Sequence, residues 1–517
     1  MSRAGPVLCA LVVCAGVAVP MRPALAQCPD GSPPPCAPRS AGPPPRSLAI
    51  LYFDNLSRDS TDALLADGFT EELIVRLGRI ESLQVKSRGV VQHYRGQTPD
   101  PTAVGRQLNV AFVVSGTMRR SSDRVRVSAE LARASTGTQV WADVFDRAST
   151  DLITIESDLG QAVAEAIAGR LRPGDQAMLA RRPTRNPAAW EAYLRGNALI
   201  ARRLTGGMAG AIEAYREAVR LDPSFAAAWG RLAEGLSLGA SYGYSGPGRS
   251  AAVLKQQARE ASERALALDS LSAAAWIARG LVLGFDGRYL ENIAAHARAV
   301  TLDSTLAEAH YHLGGSLRAY TDDQMSAEQH LLKAHALDPS LVNAVEWLSV
   351  LHWKAGRTFE ALGWFDTLSA MAPELAGSPG SNLLIADLHL DLLLRAGDTA
   401  AARTELDQLL ARPLGVDSAS VLALAARGFA DLGDTARARE YLRRAVLSVG
   451  DSSARLDVAG LLASALTALG ERDGALTVLE SRRADGGELY DLMRSPYFES
   501  LRREPRFARL LESVRPR

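Results

Sequence analysis

The spacing of apolar residues changes character several times along the first third of the chain. Residues 6–19 form a nearly unbroken apolar run of about fourteen residues, closed by Pro20. Residues 29–46 are Pro, Ser, Gly and Ala with no periodic apolar face, a composition that predicts a stiff, extended linker. Residues 48–53, Leu48-Ala49-Ile50-Leu51-Tyr52-Phe53, are a continuous apolar run of strand length that stops at the turn signal Asp54-Asn55. Residues 61–80 then place Leu64, Leu65, Phe69, Leu73, Ile74 and Leu77 at helical spacing. Residues 83–86 read as a short strand, and 101–108 as a short helix with Pro101 in its first turn. Residues 111–118 are mostly apolar, 124–131 alternate strictly, and 138–145 alternate again after the turn Ser135-Thr136-Gly137, so three strands with a hairpin are expected. Residues 153–171 close the unit as an amphipathic helix. The order β-α-β-α-β-β-β-α over about 125 residues predicts a small α/β domain that one core can support.

Beyond a polar linker at 172–186, which contains Pro173, Gly174 and Pro183, the pattern becomes helical and repeats. Leu-Asp followed by Pro or Ser closes successive units at Asp222, Asp269, Asp303 and Asp338, and the last two steps are 34 and 35 residues. The first step is longer because 239–250, rich in Gly, Ser and Tyr, is inserted. One unit carries Gly356, Ala361, Phe365 and Pro373, and later ones Gly397, Ala402 and Leu406, then Gly433, Ala438 and Leu442, then Gly470, Ala475 and Leu479. Small residues let two helices cross closely while the large one fills the seam. Period and signature resemble tetratricopeptide (TPR) repeats, about eight of them over 187–487, followed by capping helices over 488–517.

The α/β segment carries a second resemblance. The stretch from Ser47 through Phe53-Asp54-Asn55-Leu56-Ser57 looks like the opening strand of the TolB N-terminal-like domains, and Ala66-Asp67-Gly68-Phe69-Thr70-Glu71-Glu72-Leu73 is similar to their first-helix signature. Val114-Ser115-Gly116-Thr117-Met118-Arg119 and Gly137-Thr138-Gln139-Val140-Trp141-Ala142 resemble the central strand and following hairpin. The resemblance covers 47–171. Tyr52 departs from it, since family members commonly carry Pro there. Relatives of this architecture often place a DNA-binding, cyclase or kinase domain ahead of the TolB-like unit, where this sequence has an apolar leader. The fold class expected is therefore multidomain, a small α/β TolB-like domain followed by an all-α TPR solenoid.

The leader has the layout of a secretory signal. Arg3 supplies a positive start, the apolar run follows, and Ala24-Leu25-Ala26 offers a small-x-small cleavage site with Gln27 as the new terminus. Fourteen apolar residues fall short of the twenty or so that span a bilayer. An exported protein of the periplasm or envelope is expected, the alternatives being a retained N-terminal anchor or a lipoprotein through Cys28. All four cysteines lie in the first thirty-six residues. Cys9 and Cys14 leave with the signal, and an oxidising compartment permits a disulfide between Cys28 and Cys36.

Charge narrows the partner class. Lys+Arg 58 against Asp+Glu 58 leaves no global basic field to gather nucleic acid. No P-loop, H-E-x-x-H or cysteine nucleophile is present in the folded part. Gly377-Ser378-Pro379-Gly380 and Gly246-Pro247-Gly248 read as loops rather than a nucleophile elbow or a dinucleotide turn. The histidines between His296 and His389 read as core or surface residues, and Asp67, Glu71 and Glu72 as the acidic opening of a helix rather than a catalytic pair. Catalytic, cofactor and metal residues are expected to be none, and the chain is expected not to be an enzyme. Binding remains, in the groove lined by the first helix of each repeat. Candidates there are Tyr193, Asn197, Arg279, His312, Arg318 and Glu346, receiving a protein or peptide partner. The alternative is a sensory module whose TolB-like domain holds a small ligand at the carboxyl ends of its strands.

Overall fold

A computed structural model describes residues 42–59, 61–200, 207–241, 250–372, 383–411, 418–449 and 455–516. The apolar leader, Cys28 and Cys36, most of the Pro-rich linker, Pro373 and the two glycine-containing loops at 246–248 and 377–380 lie outside the described residues. Residues 43–517 form one unit by contact, and the description below concerns it.

The sheet is built around β1 (Ser47–Ile50), whose four residues are all buried, as expected of a strand covered on both faces. It runs parallel to β3 (Gln84–Val85) on one side and to β4 (Phe112–Arg120) on the other. The apolar run that predicts one strand is broken: β2 (Asp54–Asn55) continues alongside β4 further on, with Asp54 opposite Thr117. β5 (Arg124–Arg133) and β6 (Thr138–Ala148) complete an antiparallel meander, so the order is β3-β1-β4-β5-β6. Gly137, at φ 68°, turns the β5–β6 hairpin. Leu131 faces Trp141 while Ala132 faces Gln139, so Val140 is the extra residue of a bulge. Trp141 is half-buried on this strand.

Helices α1 (Asp62–Gly78), α2 (Arg88–Gln92), α3 (Pro101–Leu108) and α4 (Leu152–Ala168) connect and flank the strands. Phe69, Leu73 and Leu77 of α1 and Leu159 and Val163 of α4 are fully buried in the same core as Leu48, Ile50, Val114 and Val127. The stretch read as a polar linker is corrected by α5 (Pro173–Ala180). Pro173 opens it, Asp175 sits in its first turn, and Leu179 is buried, with its carbonyl accepting the Ser157 hydroxyl at 2.7 Å.

The remainder is helical. Among the described residues, eight helix pairs follow in order: α6 (Pro187–Ile200) with α7 (Gly207–Leu221), α8 (Ala226–Ser241) with α9 (Ala251–Leu268), α10 (Ala273–Phe285) with α11 (Tyr289–Leu302), and α12 (Ala307–Tyr320) with α13 (Gln324–Leu337). Then come α14 (Val342–Lys354) with α15 (Thr358–Met371), α16 (Leu383–Ala396) with α17 (Thr399–Leu410), α18 (Ser418–Asp431) with α19 (Thr435–Ser448), and α20 (Leu456–Ala468) with α21 (Arg472–Ser481). Gly287, Gly356, Gly397, Gly433 and Gly470 take φ between 71° and 80° at the turn inside a pair, the left-handed exit that favours glycine. Ala361, Ala402, Ala438 and Ala475 are fully buried at the crossing, and Phe365, Leu406, Leu442 and Leu479 fill the seam beside them. This is a TPR-type solenoid. α8 runs through Gly239 to Ser241, so the start of the expected insertion is helical. The chain ends in α22 (Gly487–Met493), a 3-10 turn over Pro496–Leu501, and α23 (Pro505–Val514). Among the described residues no helix is long and apolar enough to cross a membrane.

The α/β unit is joined to the solenoid by a helix-on-helix seam. α1 crosses α6 at Gly68, where an added Cβ would stand 2.1 Å from the Leu194 carbonyl oxygen. One hydrophobic core continues from the sheet through Trp190, Leu194, Tyr215 and Phe225 to Ala278 and Val282 of the third pair.

Candidate partner-binding groove

Consecutive first helices pack side by side, α8 on α10, α10 on α12 and α12 on α14, and so build one face of the solenoid. The six groove residues singled out from the sequence lie on the first helices α6, α10, α12 and α14, and most are consumed by packing or pairing. Tyr193 is buried, its ring 5.3 Å from Trp190 and 5.0 Å from Phe225, and burial pushes its phenol up to about 12. Asn197 is buried and accepts the Tyr215 hydroxyl at 2.9 Å. Arg279 is half-buried and reaches Glu263 at 3.3 Å. His312 is buried against the rings of His296 and Tyr311. Glu346 is half-buried, and desolvation pushes its carboxyl up to about 7 against the opposing pull of Arg318.

Arg318 reveals why the groove is occupied. Its guanidinium sits over the Trp347 ring at 5.3 Å and reaches Asp491 of α22 at 3.2 Å, 173 residues away in sequence. Lys354, at the end of α14, donates to the same carboxylate at 2.6 Å and to the Asp491 carbonyl at 2.7 Å. Burial, with Asp491 opposing, brings the Lys354 ammonium down to about 8. The neighbouring cations outweigh desolvation at Asp491 and hold its carboxyl below the usual range. Tyr490 donates to Asp322 at 2.9 Å, and Arg494 donates to the carbonyls of Arg318 and Ala319.

Further along, the Tyr497 hydroxyl donates to Asp387 at 2.8 Å while its ring lies 4.9 Å from Trp353 and 4.2 Å under the Arg427 guanidinium. Arg427 is fully buried and pairs with Asp387 at 2.7 Å and Asp391 at 3.0 Å. Trp353 donates its indole N–H to Asp391 at 2.6 Å. The segment after the eighth pair thus returns onto α12, α14, α16 and α18. It is core rather than a loose tail, because Leu489, Met493 and Phe498 are fully buried in one cluster with Ala463, Leu476 and Leu479 of the eighth pair.

The α/β unit meets the same repeats from the other end. Arg88 reaches Glu308 at 3.5 Å, Ser87 donates to Asp338 at 2.9 Å, and Arg79 pairs with Asp303 at 3.3 Å. The acidic residues expected to open the first helix do not do so. α1 begins at Asp62, so Asp67, Glu71 and Glu72 fall in its second and third turns. Asp67 pairs with Arg95, and Glu71 accepts the Tyr52 hydroxyl at 3.0 Å with Arg88 at 3.7 Å. Tyr52, where the TolB-like pattern has Pro, therefore ties β1 to α1.

Asp387, Asp391 and Arg427 went unread in the sequence. A signal existed: Asp387 and Asp391 are four apart in the leucine-rich stretch of α16, two carboxylates on one face of a mostly apolar helix. His310 and His330 meet ring to ring with their Nδ1 atoms 2.9 Å apart, and His296 meets the Ser316 hydroxyl at 3.0 Å. Among the described residues no three His, Cys, Asp or Glu converge as a metal site would require.

No family model matches the chain. It is 31% identical over 201 residues to a protein of Rhizobium meliloti (strain 1021) named "Putative adenylate cyclase 3". That stretch is 37% of this chain and 34% of the relative, so the likeness spans about a third of the relative's length. Among solved structures the chain is similar to a tetratricopeptide repeat protein from Parabacteroides merdae ATCC 43184, at 16% identity and TM-score 0.34 over 53% of this chain and 97% of that one. It is also similar to the APC/C hetero-tetramer Cut9–Hcn1, at 13% and 0.41 over 71% of each. A third likeness is to PilW, a type IV pilus biogenesis factor, at 20% and 0.33 over 43% and 93%. The cyclase-named relative corrects the expectation that the chain is not an enzyme. That expectation rested on missing motifs, and a missing motif excludes only the chemistries that use it.

Proposed function

We propose that this chain is a protein–protein interaction scaffold of the cell envelope, in which the TPR solenoid presents one partner surface and the TolB-like α/β unit another. The observation that carries this reading is a ladder of exposed apolar side chains. Leu290, Met325 and Phe359 are each the second residue of a second helix, in three consecutive repeats, and are 48%, 73% and 78% exposed. Large apolar side chains left in water at equivalent positions of neighbouring units are what a partner would cover. The inner groove is the weaker candidate, since the chain's own C-terminal segment fills it from α12 to α18.

The scaffold reading is tested by replacing all three with Ser in the full chain and comparing capture from a native envelope extract. A partner held by the unaltered chain should be lost; retention of that partner would remove the ladder from the proposal. Export is tested separately, by fractionation and N-terminal sequencing, with Gln27 expected as the first residue and Cys28 and Cys36 expected to resist alkylation until reduced. A second reading, favoured by the cyclase-named relative, is adenylate cyclase activity in this chain or in its complex. Incubation of the purified chain with ATP and Mg²⁺ or Mn²⁺ should then yield cyclic AMP, and its absence in both metals would remove that reading for the isolated chain.

A further inference from the structure

The sheet has one topological switch point. From β1 the chain passes through α1 to β3 on one side, then through α2 and α3 to β4 on the other side of β1. In open sheets with parallel strands, the crevice outside the carboxyl ends at such a point is where ligands settle, because the two connections leave in opposite directions and part there. β2 and β4 end side by side at this place, with Asn55 paired to Met118. A cleft of about 610 Å³ opens immediately beyond them, lined by the β2–α1 connection, the β4–β5 turn and the outer face of α6.

The charges in the cleft are not balanced once their partners are counted. Both carboxylate oxygens of Glu191 hold the Arg120 guanidinium, at 2.9 and 3.0 Å, and Asp62 stands 3.9 Å from the same group. Asp59 accepts the Thr61 backbone N–H at 2.8 Å. Glu191 and Asp62 are therefore committed to Arg120, while Asp59 keeps its negative charge. Arg58, Arg119 and Arg195 line the same cleft and, among the described residues, their side chains make no hydrogen bond or ion pair, although Arg195 is near enough to Glu217 of α7 to help hold its carboxyl down. The lining carries Arg58, Arg119, Arg120 and Arg195 against Asp59, Asp62 and Glu191, a small excess of positive charge, and the guanidinium fork suits phosphate oxygens.

We propose that this cleft is a binding site for a small phosphate-bearing anion, held by Arg58, Arg119 and Arg195. The site is independent of the scaffold reading and of the apolar ladder, which lies on the third to fifth repeats. It touches both modules, since Arg58 and Arg119 belong to the sheet and Arg195 to α6.

The test uses the full chain and inorganic pyrophosphate as probe, by isothermal titration at about 0.15 M salt, where non-specific attraction is screened within about 8 Å. Saturable binding is expected, weakened at least about tenfold, some 1.4 kcal/mol, in the triple variant Arg58→Gln, Arg119→Gln, Arg195→Gln. All three side chains are exposed, so the variant should melt as the parent does without probe. A control removes the same charge elsewhere, at the exposed Arg264, Arg298 and Arg403, and should leave binding intact. Absence of saturable binding up to about 5 mM, an unweakened triple variant, or equal weakening in the control would each overturn the proposal.

Discussion

The two ends of the solenoid are closed by different chemistry at their centres. At the N-terminal end α1 lies on α6 through Gly68, with the backbone of Leu194 in contact and Trp190, Tyr193 and Phe225 packed behind it. The centre of that seam is apolar, with its energy from area removed from water and from close backbone approach, while the ion pairs Arg120–Glu191, Arg88–Glu308 and Arg79–Asp303 flank it. At the C-terminal end the returning segment is positioned by ions: Asp491 between Arg318 and Lys354, and Tyr497 over Asp387 and Arg427. A buried ionic contact adds little net stability over an apolar one but costs heavily when half of it is removed. The difference teaches that the first joint tolerates no added volume, whereas the second tolerates no unmatched charge.

Arg427→Ala should do the most damage. It leaves Asp387 buried without its cation and Asp391 with Arg395 alone, a loss of about 3–5 kcal/mol read by thermal or urea unfolding. Arg427→Met should be milder only if Asp387 and Asp391 are also made neutral, which distinguishes stranded charge from lost packing. Gly68→Ala attacks the other joint. A methyl 2.1 Å from a carbonyl oxygen must push α1 away from α6, at about 1–3 kcal/mol. Amide exchange should quicken in α1 and α6 and stay unchanged in α22. Asp491→Asn should invert that pattern at about 1–2 kcal/mol, with exchange quickening in α22 and not in α1.

The smallest effect is a pH effect. The Glu346 carboxyl is raised to about 7 in the fold from its ordinary value near 4.5. The folded state therefore holds a proton that the unfolded state releases between these values. Its contribution is present below about 4.5 and lost as pH rises through about 7. Glu346→Gln should accordingly raise unfolding stability at pH 8, by about 1 kcal/mol after allowing for solvent screening, and change nothing at pH 4, as read by urea unfolding at the two pH values. An equal gain at both pH values would assign the effect to packing.

How far the sequence speaks depends on whether the cause is local. The helix pairs were legible because Gly356, Ala361 and Phe365, and their equivalents after Gly397, Gly433 and Gly470, encode a turn, a crossing and a seam within one repeat. Strand β5 was legible because strict alternation leaves one buried face. α5 was missed because its single buried leucine gives no periodicity, and composition alone suggested a linker. The return of α22 was not legible at all: nothing near Asp491 states that its cations lie 137 and 173 residues upstream. The same holds for Arg58, Arg119 and Arg195, which share a cleft only after the sheet and α6 have met. Of the residues chosen for the groove, Tyr193 and Asn197 show the difficulty plainly. An aromatic and an amide on a first helix read equally well as surface or as core, and packing against Phe225 and Tyr215 decided it.

A helical array whose units touch only their neighbours melts from its ends, each terminal unit leaving without consulting the middle. In this chain the terminal helices rest on the fourth, fifth, sixth and seventh pairs through Arg318, Lys354, Asp387 and Arg427. The last unit cannot fray without uncovering the centre, and the centre cannot open without releasing the last unit. A line of independent steps is thereby converted into a ring, and those five units should unfold in one cooperative transition rather than peel away in sequence.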